Sequence, residues 1–266
     1  MIIDSHEHIM FPLQMQLKKM NAARVDKTVL FCTAPHPEKA NTLHELEAEM
    51  AVLNKILTSS NAKEKSISHL RKNIAEVVEA TKEYPERFLG FGAVPLGMEL
   101  AETEEWIHTQ IISNFLYGVG EFTPGDERQI TQLDTVFQAL RNTRIYPVWV
   151  HTFYPVARDG IKRLTSLCKK YPDIPVIFGH LGGSNWIDVI KFAKEQANVY
   201  LDLSAAFTSI ATKMALVELP EKCLYSSDAP YGEPYLYRQL IEFVSPDERT
   251  AEMALGENLS RLLELR

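Results

Sequence analysis

Eight short apolar runs recur along this chain, and stretches with a helical period separate them. No other feature of the sequence limits its fold so strongly. The runs fall at 1–5, 28–33, 88–94, 116–122, 146–151, 176–180, 199–204 and 224–228. Runs of this length, apolar throughout, suit strands buried on both faces of a parallel sheet. Between them, Leu13, Leu17, Met20 and Ala23 share one helical face. So do Leu133, Val136, Phe137 and Leu140, and further stripes surround Trp106, Ile161 and Val189. Such stripes pack helices against the outside of a sheet. Eight strands alternating with helices predict an α/β fold, a (β/α)8 TIM barrel. At 266 residues the chain is long for an ordinary domain, but a barrel of roughly 250 residues is built around one core. A single domain over 1–266 is therefore expected.

Two stretches depart from the simple repeat. The segment 41–83 is longer than one crossover helix needs, with a helical pattern over 43–57 and a polar turn over 61–68. An insertion after strand two lies on the face where the strands end, placed to cap a pocket. Near the other end, Ser245-Pro246-Asp247-Glu248 reads as a helix start with Ser245 as cap, followed by helix to Leu265.

Composition narrows the function classes. A net charge of -7 argues against nucleic-acid or anionic-membrane partners, which need a basic face. No run is long and apolar enough to span a bilayer, and no signal-peptide pattern opens the chain. Cys32, Cys168 and Cys223 are odd in number and widely spaced, so they form neither a disulfide framework nor a metal knuckle. Buried thiols in a reducing cytoplasm are the expectation, with a small-molecule substrate as partner and a homo-oligomer left open.

The chemistry lies at the strand ends. His6 and His8 are two residues apart on the first strand, so their imidazoles lean to one side, roughly 6–7 Å apart. Glu121 ends strand four, His151 strand five, His180 strand six and Asp228 strand eight. In a barrel these ends surround one pocket. Charged and imidazole groups closing apolar strands are costly unless paired or metal-bound, so four histidines and two carboxylates at matching positions point to a metal site.

The ordered pieces Asp4-x-His6-x-His8, Gly118-x-Gly120-Glu121, His151, Gly179-His180-Leu181-Gly182-Gly183 and Ser227-Asp228-x-Pro230-x-Gly232 resemble the amidohydrolase superfamily. The resemblance is to its amidohydrolase-related branch of lactonases, hydratases and aromatic-acid decarboxylases. Gly256-Glu257-Asn258 fits as well, so the likeness runs the length of the chain. It implies that His6, His8 and Asp228 bind a first divalent ion. His151 and His180 would bind a second, with Glu121 as bridge. In one-metal members His151 joins the first set and His180 is free for acid/base work. Zinc is the first expectation, with manganese, iron or cobalt open. Glu121 in place of a carboxylated lysine excludes that variant of the site, though Glu121 could instead only hydrogen-bond a ligand histidine.

The activity implied first is hydrolysis of a small ester, lactone or amide by water whose pKa a zinc-type ion lowers to about 7. Asp228 would accept the proton and pass it to the leaving group, or serve as a ligand alone. The alternative is a one-metal decarboxylase of an unsaturated or aromatic acid, using His180. A non-catalytic metal-binding protein is the third class. For the substrate, Arg128 or Arg158 could clamp a carboxylate. Tyr154, Tyr231 and His36 could line the pocket, while His44, His69 and His108 are expected on helix surfaces.

Overall fold

The computed structural model describes residues 1–58 and 63–265, and among them eight parallel strands follow one another in chain order around a barrel. They are β1 Ile3–His8, β2 Lys27–Phe31, β3 Phe88–Gly92, β4 Gly118–Phe122, β5 Val148–His151, β6 Val176–Gly179, β7 Val199–Asp202 and β8 Cys223–Leu224. Each overlaps one of the eight apolar runs. β8 is short, but the chain beyond it closes the barrel against β1. Ser5 N donates to Tyr225 O at 2.9 Å, Asp228 N to His6 O at 2.9 Å, and His8 N to Ala229 O at 2.7 Å.

Helices cover the outside. They are α1 Leu13–Ala23, α2 Leu43–Thr58, α3 Lys63–Glu83, α4 Leu100–Trp106, α5 Glu127–Asn142, α6 Arg158–Lys170, α7 Trp186–Glu195, α8 Ser209–Glu218, α9 Pro234–Val244, α10 Glu248–Glu252 and α11 Asn258–Leu262. α5 illustrates how the sequence directs them. The Asp126 carboxylate caps its first turn by accepting from Arg128 N and Gln129 N. Its stripe of Leu133, Val136, Phe137 and Leu140 is wholly buried against the sheet, each such side chain contributing about 1.5–3 kcal/mol.

Inside the barrel, Val29, Phe31, Leu89, Phe91, Trp149, Ile177 and Leu224 form an apolar floor with Ile3. Leu259 and Leu263, in and just after α11, plug it from below. Above this floor, strand alternation lifts polar side chains towards the mouth. Trp149 points inward, so His151, two residues on, stands above it on the same side.

The insertion divides into unlike halves. α3 is the barrel's own crossover helix, with Ile74 and Val77 buried against the sheet. α2 is additional and lies on the surface, Leu43 being 73% exposed. The expected polar turn lies partly at 59–62, outside the described residues; from Lys63 the chain is helical. The C-terminal helix also differs from expectation. Asp247, not Ser245, caps α10 by accepting from Thr250 N. Ser245 instead ends α9, where its hydroxyl donates to Ile241 O. The last helical stretch is not continuous either: a π-type turn at Met253–Glu257 separates α10 from α11. All three cysteines are free; Cys168 and Cys223 are buried, while Cys32 is only half-buried because it lies just past the end of β2.

Candidate metal centre

The six side chains singled out at the strand ends meet at one point above the barrel floor. Glu121 stands at its centre. Its Oε2 faces His6 Nε2 at 3.6 Å and His8 Nε2 at 3.4 Å. Its Oε1 lies 3.0 Å from His151 Nδ1 and 3.9 Å from His180 Nε2. Asp228 Oδ1 closes the other side, 3.9 Å from His6 Nε2 and 3.4 Å from His8 Nε2.

The backbone is shaped to deliver these groups. His180 and Asp228 both adopt left-handed backbone angles, with φ of 57° and 58°. That conformation costs a residue other than glycine about 1–2 kcal/mol, and such strain gathers at functional sites. After His180 the left-handed path continues through Leu181, Gly182 and Gly183. Here glycine is required: at Gly183 a Cβ would sit 2.2 Å from the Phe153 ring. Thr152 fastens the turn, donating its hydroxyl to Gly179 O and accepting from Gly182 N at 3.0 Å.

Electrostatics follow from burial and mutual charge. Burial works to lower the pKa of His6, yet the Glu121 contact and the charges of Asp228 and Asp202 overcome it and push it up to about 9. Burial also opposes ionisation of Glu121, but His151 and His6 outweigh it and hold the carboxyl well below its usual range. Asp228 is lowered in the same way, its burial outweighed by His8 and the neighbouring rings. His151 is raised: burial disfavours its charge, and Glu121 more than compensates. His180 is lowered, first by burial and then by His151.

The donors fit a divalent cation. Both ring nitrogens of fully buried His6, and Nδ1 of His8, have no hydrogen-bond partner. Orphaned buried nitrogens cost free energy unless something else takes their lone pairs. His6, His8 and Glu121 form one candidate ligand group, and Glu121, His151 and His180 a second. Imidazole with carboxylate and no thiolate suits zinc, manganese, iron or cobalt.

Two residues at the site escaped the sequence reading. Asp202, fully buried at the end of β7, accepts from His180 N at 3.1 Å and Trp149 Nε1 at 3.2 Å. Its Oδ2 lies 3.8 Å from His6 Nδ1. Ser204, also buried, donates its hydroxyl to Asp202 Oδ1 and stands 2.9 Å from His180 Nδ1. The signal was strand parity, since Asp202 follows inward-facing Tyr200 by two residues.

The arginines considered as carboxylate clamps lie elsewhere. Arg128 pairs with Asp126 at 3.0 Å and Arg158 with Asp188 at 3.1 Å, their side chains 84% and 69% exposed. Aromatic rings flank the centre instead, with Tyr231 5.7 Å from the His8 ring and Phe153 6.4 Å from the His180 ring. Tyr154 is 79% exposed, and its carbonyl faces His151 Nε2 at 2.9 Å. His36 sits beside Glu38 at 2.9 Å and packs on Phe11. His44, His69 and His108 are exposed on or near helices. Among the described residues no helix is long and apolar enough to cross a membrane.

Comparison with known proteins extends these observations. The family model described as Amidohydrolase (Amidohydro_2) matches residues 3–265. No curated protein matches the sequence at a significant level. Among solved structures, one of an amidohydrolase II shares 18% identity at a TM-score of 0.74, covering 99% of this chain and 100% of its own. A dihydroxybenzoic acid decarboxylase from Polaromonas, solved with manganese and the inhibitor 2-nitroresorcinol, shares 15% identity at a TM-score of 0.70, covering 99% of this chain and 97% of its own. The 5-carboxyvanillate decarboxylase from Sphingomonas paucimobilis shares 14% identity at a TM-score of 0.69, covering 100% of this chain and 99% of its own. At these identities the likeness is one of fold.

Proposed function

The chain belongs to the amidohydrolase family, and from that premise we propose that it is a metal-dependent decarboxylase of an aromatic or unsaturated carboxylic acid. The observation that carries this reading is the end-to-end likeness to decarboxylases of hydroxylated benzoates. It reverses the order of expectation from sequence, where hydrolysis stood first. The rings of Tyr231 and Phe153 beside the site support a flat substrate.

His6, His8, Glu121, His151 and Asp228 would hold the ion, with His180 beside them. A divalent cation there would supply Lewis-acid polarisation and a fixed partner for the substrate's anionic oxygens. Manganese is as good a candidate as zinc, given the manganese in the Polaromonas enzyme. With Arg128 and Arg158 paired on the surface, substrate charge is met at the centre and not by a guanidinium clamp. In decarboxylation the bond between ring and carboxyl carbon breaks, carbon dioxide leaves, and the ring carbon gains one proton. Asp228 is the group proposed to deliver that proton, after first taking it up from solvent or from the substrate acid, its side chain standing 3.4 Å from His8 Nε2 and 14% exposed. Phe153 and Tyr231 would keep water from the reacting face.

A second reading, hydrolysis of a lactone, ester or amide, is favoured by one observation. The two oxygens of Glu121 face two different histidine pairs, as a carboxylate bridging two ions would. The test offers purified, metal-loaded protein a panel of hydroxybenzoates and a panel of lactones and amides. Carbon dioxide release from the first panel alone supports the decarboxylase; turnover confined to the second overturns it.

A further inference from the structure

We infer that Ser204 and Asp202 form a relay that fixes the tautomer of His180, so that its Nε2 presents a lone pair to the site. Three N–H donors converge on Asp202: His180 N at 3.1 Å and Ser204 N at 3.0 Å on Oδ1, and Trp149 Nε1 at 3.2 Å on Oδ2. A carboxylate so surrounded acts as an acceptor throughout. The Ser204 hydroxyl carries a single proton, which it donates to Asp202 Oδ1. Its oxygen has only lone pairs left for His180 Nδ1, 2.9 Å away. The proton between them therefore belongs to Nδ1, and in the neutral ring Nε2 is bare.

His180 Nε2, left bare, lies 3.2 Å from His151 Nδ1 on the side that faces the centre. The same carboxylate holds His180 twice, through its backbone N–H and, by way of Ser204, through its ring. Ser204 is thus a positioning residue acting through His180.

The relay decides among the roles left open for His180. A bare Nε2 is a metal ligand or a base, never the ground-state proton donor. The consequence for turnover rests on the decarboxylase reading: delivery of the proton to carbon then falls to Asp228.

The test uses the full-length, zinc-loaded protein labelled with 15N-histidine, in long-range 1H–15N correlation spectra. The signals lost in His180→Gln assign the ring. The expected spectrum has a proton on Nδ1 and none on Nε2. A ring protonated on Nε2, or on both nitrogens, would overturn the relay. In Ser204→Ala the Nδ1 proton should exchange with solvent about tenfold faster for want of its acceptor. kcat should fall while KM stays within about twofold. Ser204→Thr, which keeps the hydroxyl, should restore the exchange rate and kcat; an Ala variant with wild-type exchange would count against the relay. Should Ser204→Ala not fold, the wild-type and Thr spectra decide. Failure of every acid in the substrate panel sinks the decarboxylase reading and leaves the tautomer measurement standing.

Discussion

Glu121 Oε1 and His180 Nε2 both approach one atom, Nδ1 of His151, at 3.0 Å and 3.2 Å. That nitrogen can hold either a proton or a metal ion. His6, pushed up to about 9, is protonated near neutral pH before an ion binds, and Glu121 raises His151 in the same direction. Binding must displace the protons these rings hold. Titrating zinc or manganese into chelator-treated protein at pH 7, in buffers of different ionisation enthalpy, should show one to two protons released per chain, on the order set by these two rings. Uptake without proton release would contradict the placement of His6 and His151 at the centre.

Glu121→Gln removes the one carboxylate that faces both histidine pairs. Metal content measured by elemental analysis should fall relative to wild type by about one ion per chain, with residual affinity at least tenfold weaker. Wild-type content and affinity in the variant would restrict Glu121 to hydrogen bonding.

Asp228→Asn keeps the size of the side chain and removes its capacity to carry a proton. Turnover should drop at least about a hundredfold, in line with losing a positioned proton-transfer group. Metal content in the same sample separates a chemical loss from a missing ion. A variant with bound metal and wild-type turnover would take Asp228 out of the reaction.

The metal-free protein should lose stability as pH rises from 6 to 9. Asp4, within β1, is fully buried, and burial pushes its carboxyl from 3.8 to about 7. His6 moves from 6.5 to about 9. Both groups bind protons more tightly folded than unfolded. Each contribution is complete below the unfolded value and is lost as pH climbs through the folded one. For Asp4 that window is 3.8 to about 7, and for His6 it is 6.5 to about 9. Glu121 and Asp228 are shifted the other way and are fully ionised across this range, so they do not offset the loss; His180, which is lowered, offsets a part of it only between pH 6 and about 7. The combined effect is on the order of a few kcal/mol, enough to lower the thermal midpoint by several degrees. A midpoint that climbs over this range would show these assignments to be wrong. In loaded protein the dependence should flatten, because the ion takes the place of the His6 proton.

The cluster at the strand ends was legible because burial makes it so. A histidine or carboxylate closing an apolar strand must have a partner, and His6, His8, Glu121, His151, His180 and Asp228 all share that position. Asp202 and Ser204 follow the same parity, but Asp-Leu-Ser after a strand also reads as an ordinary turn. Their role depends on β7 lying beside β6, a relation in space that no local spacing carries. Arg128 and Arg158 misled for the converse reason. They stand at helix starts near the mouth, and only packing reveals that Asp126 and Asp188 hold them outside. Ser245 looked like a cap because Pro246 follows it, whereas the side chain that reaches a free N–H is that of Asp247.

Barrel closure ties the centre to the order in which the chain is made. His6 and His8 lie on the first strand, and the partners that hold that strand, Tyr225, Asp228 and Ala229, lie more than two hundred residues later. A ribosome that has released only the first seven strands has made the imidazoles but not the wall they rest against, so the nascent chain carries an open sheet with an exposed first strand. A chain truncated before Cys223 would keep His6, His8, His151 and His180 but lack β8, Asp228 and the partners that close the barrel, so it should fail to retain an ion.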